Sequence, residues 1–291
     1  MLIRTIALLC MLTPLAIGAY PLDGSDYTGI ERLEGYRQGQ LGKAKARDLP
    51  AGALLELNQV QPRLEQAYAL QVPPVDDGFS LQIQKLLRAP SYGIAVLDLS
   101  DPANPVYAEH NADQAFNPGS IGKLAVVLGV FQALAKIYPE DIKAREKILR
   151  ETLVTADDFI EWDSHVVPFW LPEENRILKR KLRKGDRGNL WSYLDWMLSA
   201  SSNAAASMVI KQLMLIEHFG RDYPVAPEQE EAFFSGSRQS LSRTLREALD
   251  NGVIAAGLEP AHFREGRFFT RGGMNRVSGG GSTATPRALI R

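Results

Sequence analysis

Residues 116–138 read FNPGSIGKLAVVLGVFQALAKIY, and they contain the most apolar helical pattern of the folded part of the chain. The segment Asn117-Pro118-Gly119 is typical of a turn, and the residues from Leu124 to Ile137 are apolar on nearly every side of a helix. A helix of this kind is buried on most of its faces. The stretch therefore predicts a turn followed by a buried helix that ends near Tyr138.

Ser120 and Lys123 lie at the start of this helix, on the same face and one turn apart. Burial disfavours an ammonium charge, so a lysine here can lose its proton near neutral pH and then accept the hydroxyl proton of Ser120. The helix N-terminus favours negative charge at the serine, and its backbone N–H can stabilise an oxyanion. The alternative is that Ser120 only caps the helix and Lys123 lies on the surface. The apolar residues around Lys123 argue against that alternative.

A second motif, Ser201-Ser202-Asn203, falls where two predicted helices meet, at 191–200 and 203–219. A hydroxyl at Ser201 near the first motif could relay a proton to a leaving group. The amide of Asn203 could bind a substrate amide or hold the lysine. Taken alone, the triplet also fits an ordinary serine-rich junction between helices.

Other nucleophile schemes fit less well. Pro118 stands where a nucleophile elbow needs its first glycine, and Leu124 stands where a phosphate-binding loop needs Ser or Thr. The four histidines have no metal-ligand spacing, so we expect no metal site. A Ser-His-Asp triad stays open, because its members are gathered by the fold and not by spacing.

The N-terminal residues 1–19 predict a signal peptide, with Arg4 before an apolar run and small residues at Gly18 and Ala19. A membrane anchor is the alternative, but the run is short for a bilayer span. We therefore expect a periplasmic or extracellular protein with no stable membrane span after cleavage. Cys10 is the only cysteine, so the mature chain would have no disulfide. The net charge of −1 gives no reason to expect nucleic acid as a partner.

Residues 20–75 predict a polar N-terminal extension, and 76–291 predict the main domain. The predicted elements are helices at 27–37, 53–70, 79–88 and 237–251, the last ended by Gly252, a hairpin of strands 92–99 and 106–109, and a helix starting at Pro286. Residues 152–190 are charged and predict irregular structure, as do the glycine-rich residues 259–281. The basic run 179–184 is interpreted as a solvated face, with a patch for an acidic polymer as the alternative.

From Phe79 to Arg291 the order of these features resembles the class A β-lactamase and penicillin-binding DD-peptidase family. Residues 92–99 resemble its first strand, residues 116–123 its Ser-x-x-Lys motif, residues 201–203 its Ser-Asp-Asn motif, and residues 282–286 its Thr-Thr-Pro element. The resemblance implies an α+β fold, in which an antiparallel sheet flanked by helices joins a mostly helical lobe. The site would lie between them.

The resemblance also implies roles for single residues. Ser120 would be the acylated nucleophile, Lys123 the general base, Ser201 the proton shuttle, and Asn203 a contact to the substrate or to the lysine. The protein would be a secreted, monomeric serine hydrolase without a cofactor. Its substrates would be β-lactams or peptidoglycan stem peptides.

Three departures from the family pattern affect this expectation. The 80 residues between Ser120 and Ser201 exceed the usual spacing. In the omega loop Arg271 occupies the position of the expected glutamate, and Glu259 and Glu265 are out of register. Without that base the acyl-enzyme should be long-lived. This favours a DD-peptidase or penicillin-binding protein. No Lys-Thr-Gly follows, so we expect the last strands of the family fold to be missing from a truncated and inactive chain.

Two other hypotheses remain from the sequence. The first is a non-catalytic protein that binds penicillin or peptidoglycan. The second is an unrelated, helix-rich exported protein, in which Lys123 would be exposed and far from Ser201.

Overall fold

The structure is a computed structural model that describes residues 24–45, 71–89, 91–101 and 103–290. The helices within these ranges are α1 (Gly24–Thr28), α2 (Glu31–Gln40), α3 (Asp77–Leu86), α4 (Lys123–Ile137), α5 (Ile142–Glu151), α6 (Leu190–Ser199), α7 (Asn203–Phe219), α8 (Pro227–Phe234), α9 (Arg238–Ala255), α10 (Arg271–Arg276) and α11 (Pro286–Ile290). The strands are β1 (Ile94–Asp98), β2 (Val106–His110), β3 (Leu153–Thr155), β4 (Val167–Leu171), β5 (Arg176–Arg180), β6 (Arg187–Asn189), β7 (Phe263–Arg264) and β8 (Thr283–Ala284). The chain is therefore a mixed α+β protein, as predicted.

The described strands form four antiparallel pairs, β1–β2, β3–β6, β4–β5 and β7–β8. The predicted hairpin is confirmed, with Ile94 opposite His110 and Asp98 opposite Val106. It packs against α3 and α11. In the described ranges the strands thus make separate two-stranded sheets, and not the single sheet that the sequence predicted.

The prediction of irregular structure at 152–190 is wrong, because this segment contains β3 to β6. Its charges pair with one another and so do not prevent strand formation. Arg180 forms two hydrogen bonds to Asp186, and Lys184 lies between the carboxylates of Asp158 and Glu161. The guanidinium of Arg180 also stacks on Phe169, with its central carbon 3.8 Å from the ring centre.

Helix α7 lies in the core, and every residue from Ala204 to Ile216 is buried. Helix α4 packs against both α7 and α9, but it is less buried than predicted, since seven of its 15 residues are buried and Leu124 and Phe131 are exposed. Among the described residues, Gly119–Ile137 is the one helical stretch long and apolar enough to cross a membrane by length and composition.

The sequence predicted that α9 ends at Gly252, but the helix continues to Ala255. Gly252 instead permits close packing, since a Cβ built there would lie 2.3 Å from the backbone nitrogen of Gly129 on α4. The glycine marks a helix crossing and not a helix end.

The predicted helix at 27–37 is divided into α1 and α2 at Gly29, whose φ is +69°. Helix α2 packs against β4, and its buried Arg32 forms an ion pair with Asp195 of α6. The described part of the predicted extension therefore rests on the main domain. The predicted signal peptide at 1–19 and the predicted helix at 53–70 lie outside the described residues.

Other helix predictions are confirmed within a few residues, at α3, α6, α7 and the start of α11. Helices α5 and α8 were not predicted. The glycine-rich segment 259–281 is mostly irregular but includes β7 and α10.

Candidate active site

Ser120 lies in a short 3₁₀ helix, Gly119–Gly122, that leads directly into α4. The turn before it forms because the side chain of Asn117 accepts a hydrogen bond from the backbone of Gly119, which has a φ of +53°. The N-cap of α4 is Gly122, without a capping side chain. The alternative role of Ser120 as the cap of this helix is therefore wrong.

Lys123 is buried, with 2% of its surface exposed, so the alternative of a surface lysine is also wrong. Its Nζ lies 3.1 Å from Ser120 Oγ, 3.0 Å from Ser201 Oγ, 2.6 Å from the Ser201 carbonyl oxygen and 2.9 Å from Asn203 Oδ1. The Nζ also lies 5.0 Å from the ring centre of Phe269. The structure thus brings together all four residues that the two motifs predicted as a site.

Ser201 links the two motifs, because its hydroxyl donates to Ser120 Oγ at 2.9 Å. Its φ of +54° is unusual for a residue other than glycine, and such strained positions concentrate at functional sites. This backbone conformation lets one residue present both its carbonyl and its hydroxyl to Lys123.

Ser202, the middle residue of the second motif, has a carboxylate beside it. Asp163 accepts hydrogen bonds from the Ser202 hydroxyl at 3.0 Å and from the Ala204 backbone at 2.8 Å. Ser202 itself caps α7 by accepting from Ala205. No pattern in the sequence indicated Asp163, which comes from the long segment between the motifs.

Lys123 Nζ can donate to the oxygens around it when it carries its extra proton, and the same contacts also accommodate the neutral amine. Two of its four contacts, the Ser201 carbonyl and the Asn203 amide oxygen, can only accept. A neutral amine has two N–H groups for those two oxygens and one lone pair left over. That lone pair can accept the proton of the Ser120 hydroxyl, because the Ser201 hydroxyl donates to Ser120 Oγ.

Burial lowers the pKa of Lys123 to about 8, against the opposing effect of the negative charges on Asp163 and Glu265. Burial on its own would raise the pKa of Asp163. The hydrogen bonds from Ala204, His165 and Ser202 outweigh it and hold that pKa below its usual value. The site therefore combines an ionised carboxylate with a lysine that exchanges its proton close to neutral pH.

Ser120 opens into a cavity of about 240 Å³. The cavity also contains Glu265, whose surface is 4% exposed. Its other lining residues are Asn117, Gly119, Asn203, Arg267, Phe268, Phe269, Met274 and Ser282. Burial raises the pKa of Glu265, although hydrogen bonds from Ser282 at 2.5 Å and from two backbone N–H groups oppose this.

Glu265 shares the cavity with the candidate nucleophile, although the sequence placed it out of register with the expected glutamate. Its Oε2 packs against Gly122, where a built Cβ would lie 2.2 Å away. The pairing of β7 with β8 places Glu265 beside Ser282. The residues near Glu265 in the sequence do not predict this pairing, so the sequence did not identify Glu265 as part of the site. Arg271, the residue in the expected register, instead stacks on Trp162 at 5.3 Å from the ring centre.

The histidines do not form a triad with the candidate nucleophile. His165 Nδ1 lies 2.6 Å from Asp163, but the serine on that carboxylate is Ser202, and no described histidine is hydrogen-bonded to Ser120. The described residues also contain no group of three or more His, Cys, Asp or Glu side chains that could hold a metal ion.

The site therefore consists of the four predicted residues and two carboxylates, Asp163 and Glu265, that the sequence did not indicate. Its chemistry has to be inferred from these contacts, since no protein-family model, curated protein or solved structure matches this chain.

Proposed function

We propose that the protein is a serine hydrolase of the β-lactamase and DD-peptidase type, exported to the periplasm or beyond. Ser120 would be acylated by β-lactams or peptidoglycan stem peptides. One observation carries the proposal. The buried Lys123 is hydrogen-bonded to both Ser120 and Ser201, which come from segments 80 residues apart.

The acylation step follows from these contacts. Neutral Lys123 accepts the hydroxyl proton of Ser120, and Ser120 Oγ attacks the substrate carbonyl carbon. The tetrahedral intermediate then expels the amine nitrogen. That nitrogen takes the proton of the Ser201 hydroxyl, and Ser201 recovers a proton from Lys123. The products are an ester at Ser120 and a neutral lysine.

The second step removes the acyl group with water. Glu265 is the base we propose for it, because it shares the cavity with Ser120 and is buried among hydrogen-bond donors. Glu265 would take a proton from the water that attacks the ester, and Ser120 would leave with that proton. A base in this position favours turnover, whereas the sequence had predicted a long-lived acyl-enzyme.

Intact mass after incubation with penicillin tests the proposal. We expect the mass of one penicillin to be added in Glu265→Gln, whose acyl-enzyme should persist, and in Glu265→Gln with the control substitution Ser240→Ala, whose exposed serine lies on α9. Ser120→Ala should gain no mass. The proposal is wrong if Ser120→Ala gains the same mass, or if no form is labelled and the wild type also hydrolyses no β-lactam.

A penicillin-binding or DD-peptidase relative without β-lactamase turnover is the second candidate, and one observation favours it. Arg271, and not a glutamate, occupies the register of the expected deacylating base, and it stacks on Trp162. The Glu265→Gln variant separates the two functions. If the wild type hydrolyses a chromogenic cephalosporin and Glu265→Gln accumulates the acyl-enzyme, the protein is a β-lactamase. If both accumulate it equally, the second candidate holds.

A further inference from the structure

Three exposed arginines lie on the first half of α9, at positions 238, 243 and 246. They line a cavity of about 420 Å³ together with Gln239, Ser242 and Ser278. Within the described part of the chain, none of the three forms an ion pair with a carboxylate. Glu247, which directly follows Arg246 in the sequence, does not form an ion pair with any of the three arginines.

This arrangement differs from the other basic surface of the protein. In the segment 176–184, Arg176, Arg180 and Lys184 are each paired with acidic side chains. Like charges one turn apart on a helix, such as Arg243 and Arg246, repel each other. A cluster of unpaired arginines is therefore most stable when an anion lies among them.

The cluster continues to the candidate active site. The hydroxyl of Ser242 donates to the carbonyl oxygen of Ser278. The next residue, Gly279, packs on Arg267, since a built Cβ would lie 2.5 Å from the Arg267 Cβ. Arg267 lines the Ser120 cavity. We call Arg238, Arg243, Arg246 and Arg267 together the arginine track.

From this continuity we infer that the arginine track binds the carboxylates of an acidic peptide whose acyl group lies at Ser120. The inference rests on the proposed function for its claim that the bound peptide is a substrate. A guanidinium has the planar fork that matches a carboxylate in two hydrogen bonds. Each exposed arginine–carboxylate pair adds little to the binding free energy, so several pairs are needed for measurable affinity.

The length of the track sets the size of the peptide. The step from Arg238 to Arg246 covers about 12 Å along the helix at about 1.5 Å per residue. An extended peptide covers that distance with about four residues. The track therefore suits a substrate that continues for several acidic residues beyond the group that reacts.

Binding of a fluorescent hexaglutamate peptide to the Ser120→Ala variant tests the inference without turnover. Added substitutions Arg238→Gln, Arg243→Gln and Arg246→Gln should weaken binding about tenfold, and salt near 0.15 M should weaken it as well. The matched control replaces three exposed lysines elsewhere, Lys143, Lys179 and Lys181, with Gln. It changes the net charge equally and should leave the affinity within about twofold.

The same triple substitution in the active enzyme should raise KM for an acyl substrate extended by glutamates and leave kcat unchanged. Equal weakening of hexaglutamate binding by the lysine control would overturn the inference, since it would show a general effect of charge. Tighter binding of tripolyphosphate than of hexaglutamate would overturn the assignment to carboxylates. If hexaglutamate binds as expected but penicillin never labels Ser120, the track is a binding site and the proposed function alone fails.

Discussion

The pH dependence of acylation is the sharpest consequence of a buried lysine as the base. Only the neutral form of Lys123 can accept the Ser120 proton, and burial sets its pKa at about 8. The neutral fraction is then roughly 1% at pH 6 and roughly 50% at pH 8. We therefore expect the acylation rate constant to rise about fiftyfold over this range and to level off above it.

The same pKa has a consequence for stability. The fall from the model-peptide value of 10.5 to about 8 corresponds to about 3 kcal/mol of disfavoured charge in the folded state. Because the folded pKa lies below the unfolded one, the unfolded chain binds more protons between about pH 8 and pH 10.5. The contribution of Lys123 to the free energy of unfolding therefore increases with pH across that window and is lost as the pH falls through 8.

Rapid mixing with a fluorescent penicillin at a series of pH values measures the acylation step alone. The groups that face Lys123 supply a second check. Asp163 and Glu265 both raise its pKa, so Asp163→Asn and Glu265→Gln should each move the inflection to lower pH. An inflection near pH 10.5, a flat profile, or an unmoved inflection in both variants would refute the assignment of Lys123 as the base.

Three other predictions follow from single residues of the site and the core. In urea unfolding, Ser201→Gly should have a free energy of unfolding about 1 kcal/mol higher than Ser201→Ala, because glycine accepts the left-handed backbone. Both variants should lose about 100-fold in the acylation rate constant. Equal free energies of unfolding would contradict the proposed backbone strain. Gly122→Ala should displace Glu265 and lengthen the acyl-enzyme lifetime at least about tenfold in a time course of intact mass, and an unchanged lifetime would argue against the glutamate as base. Gly252→Ala should lower the free energy of unfolding by about 3 kcal/mol by forcing α9 from α4, whereas Gly281→Ala, in open space, should change it by less than about 0.5 kcal/mol.

The sequence predicted those features that depend on short-range pattern. The apolar run after Lys123 indicated a buried helix, and that burial in turn implied a lysine with a lowered pKa. The β-forming residues of 92–99, the turn residues 101–105 and the short strand at 106–109 indicated a hairpin. In each case, side chains a few residues apart determine both the element and the face that it buries.

The features that the sequence did not predict depend on partners far away in the chain. The strands β3 to β6 were missed because the charges of this segment suggested a solvated stretch, whereas in the fold the strands bury Val154 and Val167 and their charges pair with acidic residues. Gly252 suggested a helix end, because its packing partner lies on another helix. Local pattern cannot separate a glycine that ends a helix from one that lets two helices meet.

The long segment between the two motifs contributes directly to the site. In the sequence it was only a departure from the family spacing, but it supplies Asp163, which binds the turn before α7 and opposes the effect of burial on Lys123. Glu265 opposes that effect from a segment more than 60 residues beyond the second motif. With one of these charges removed, the lysine would be neutral at lower pH but less able to hold the proton it takes from Ser120. The two carboxylates therefore tune the base from two distant segments of the chain, and this balance depends on the whole fold and not on the two motifs.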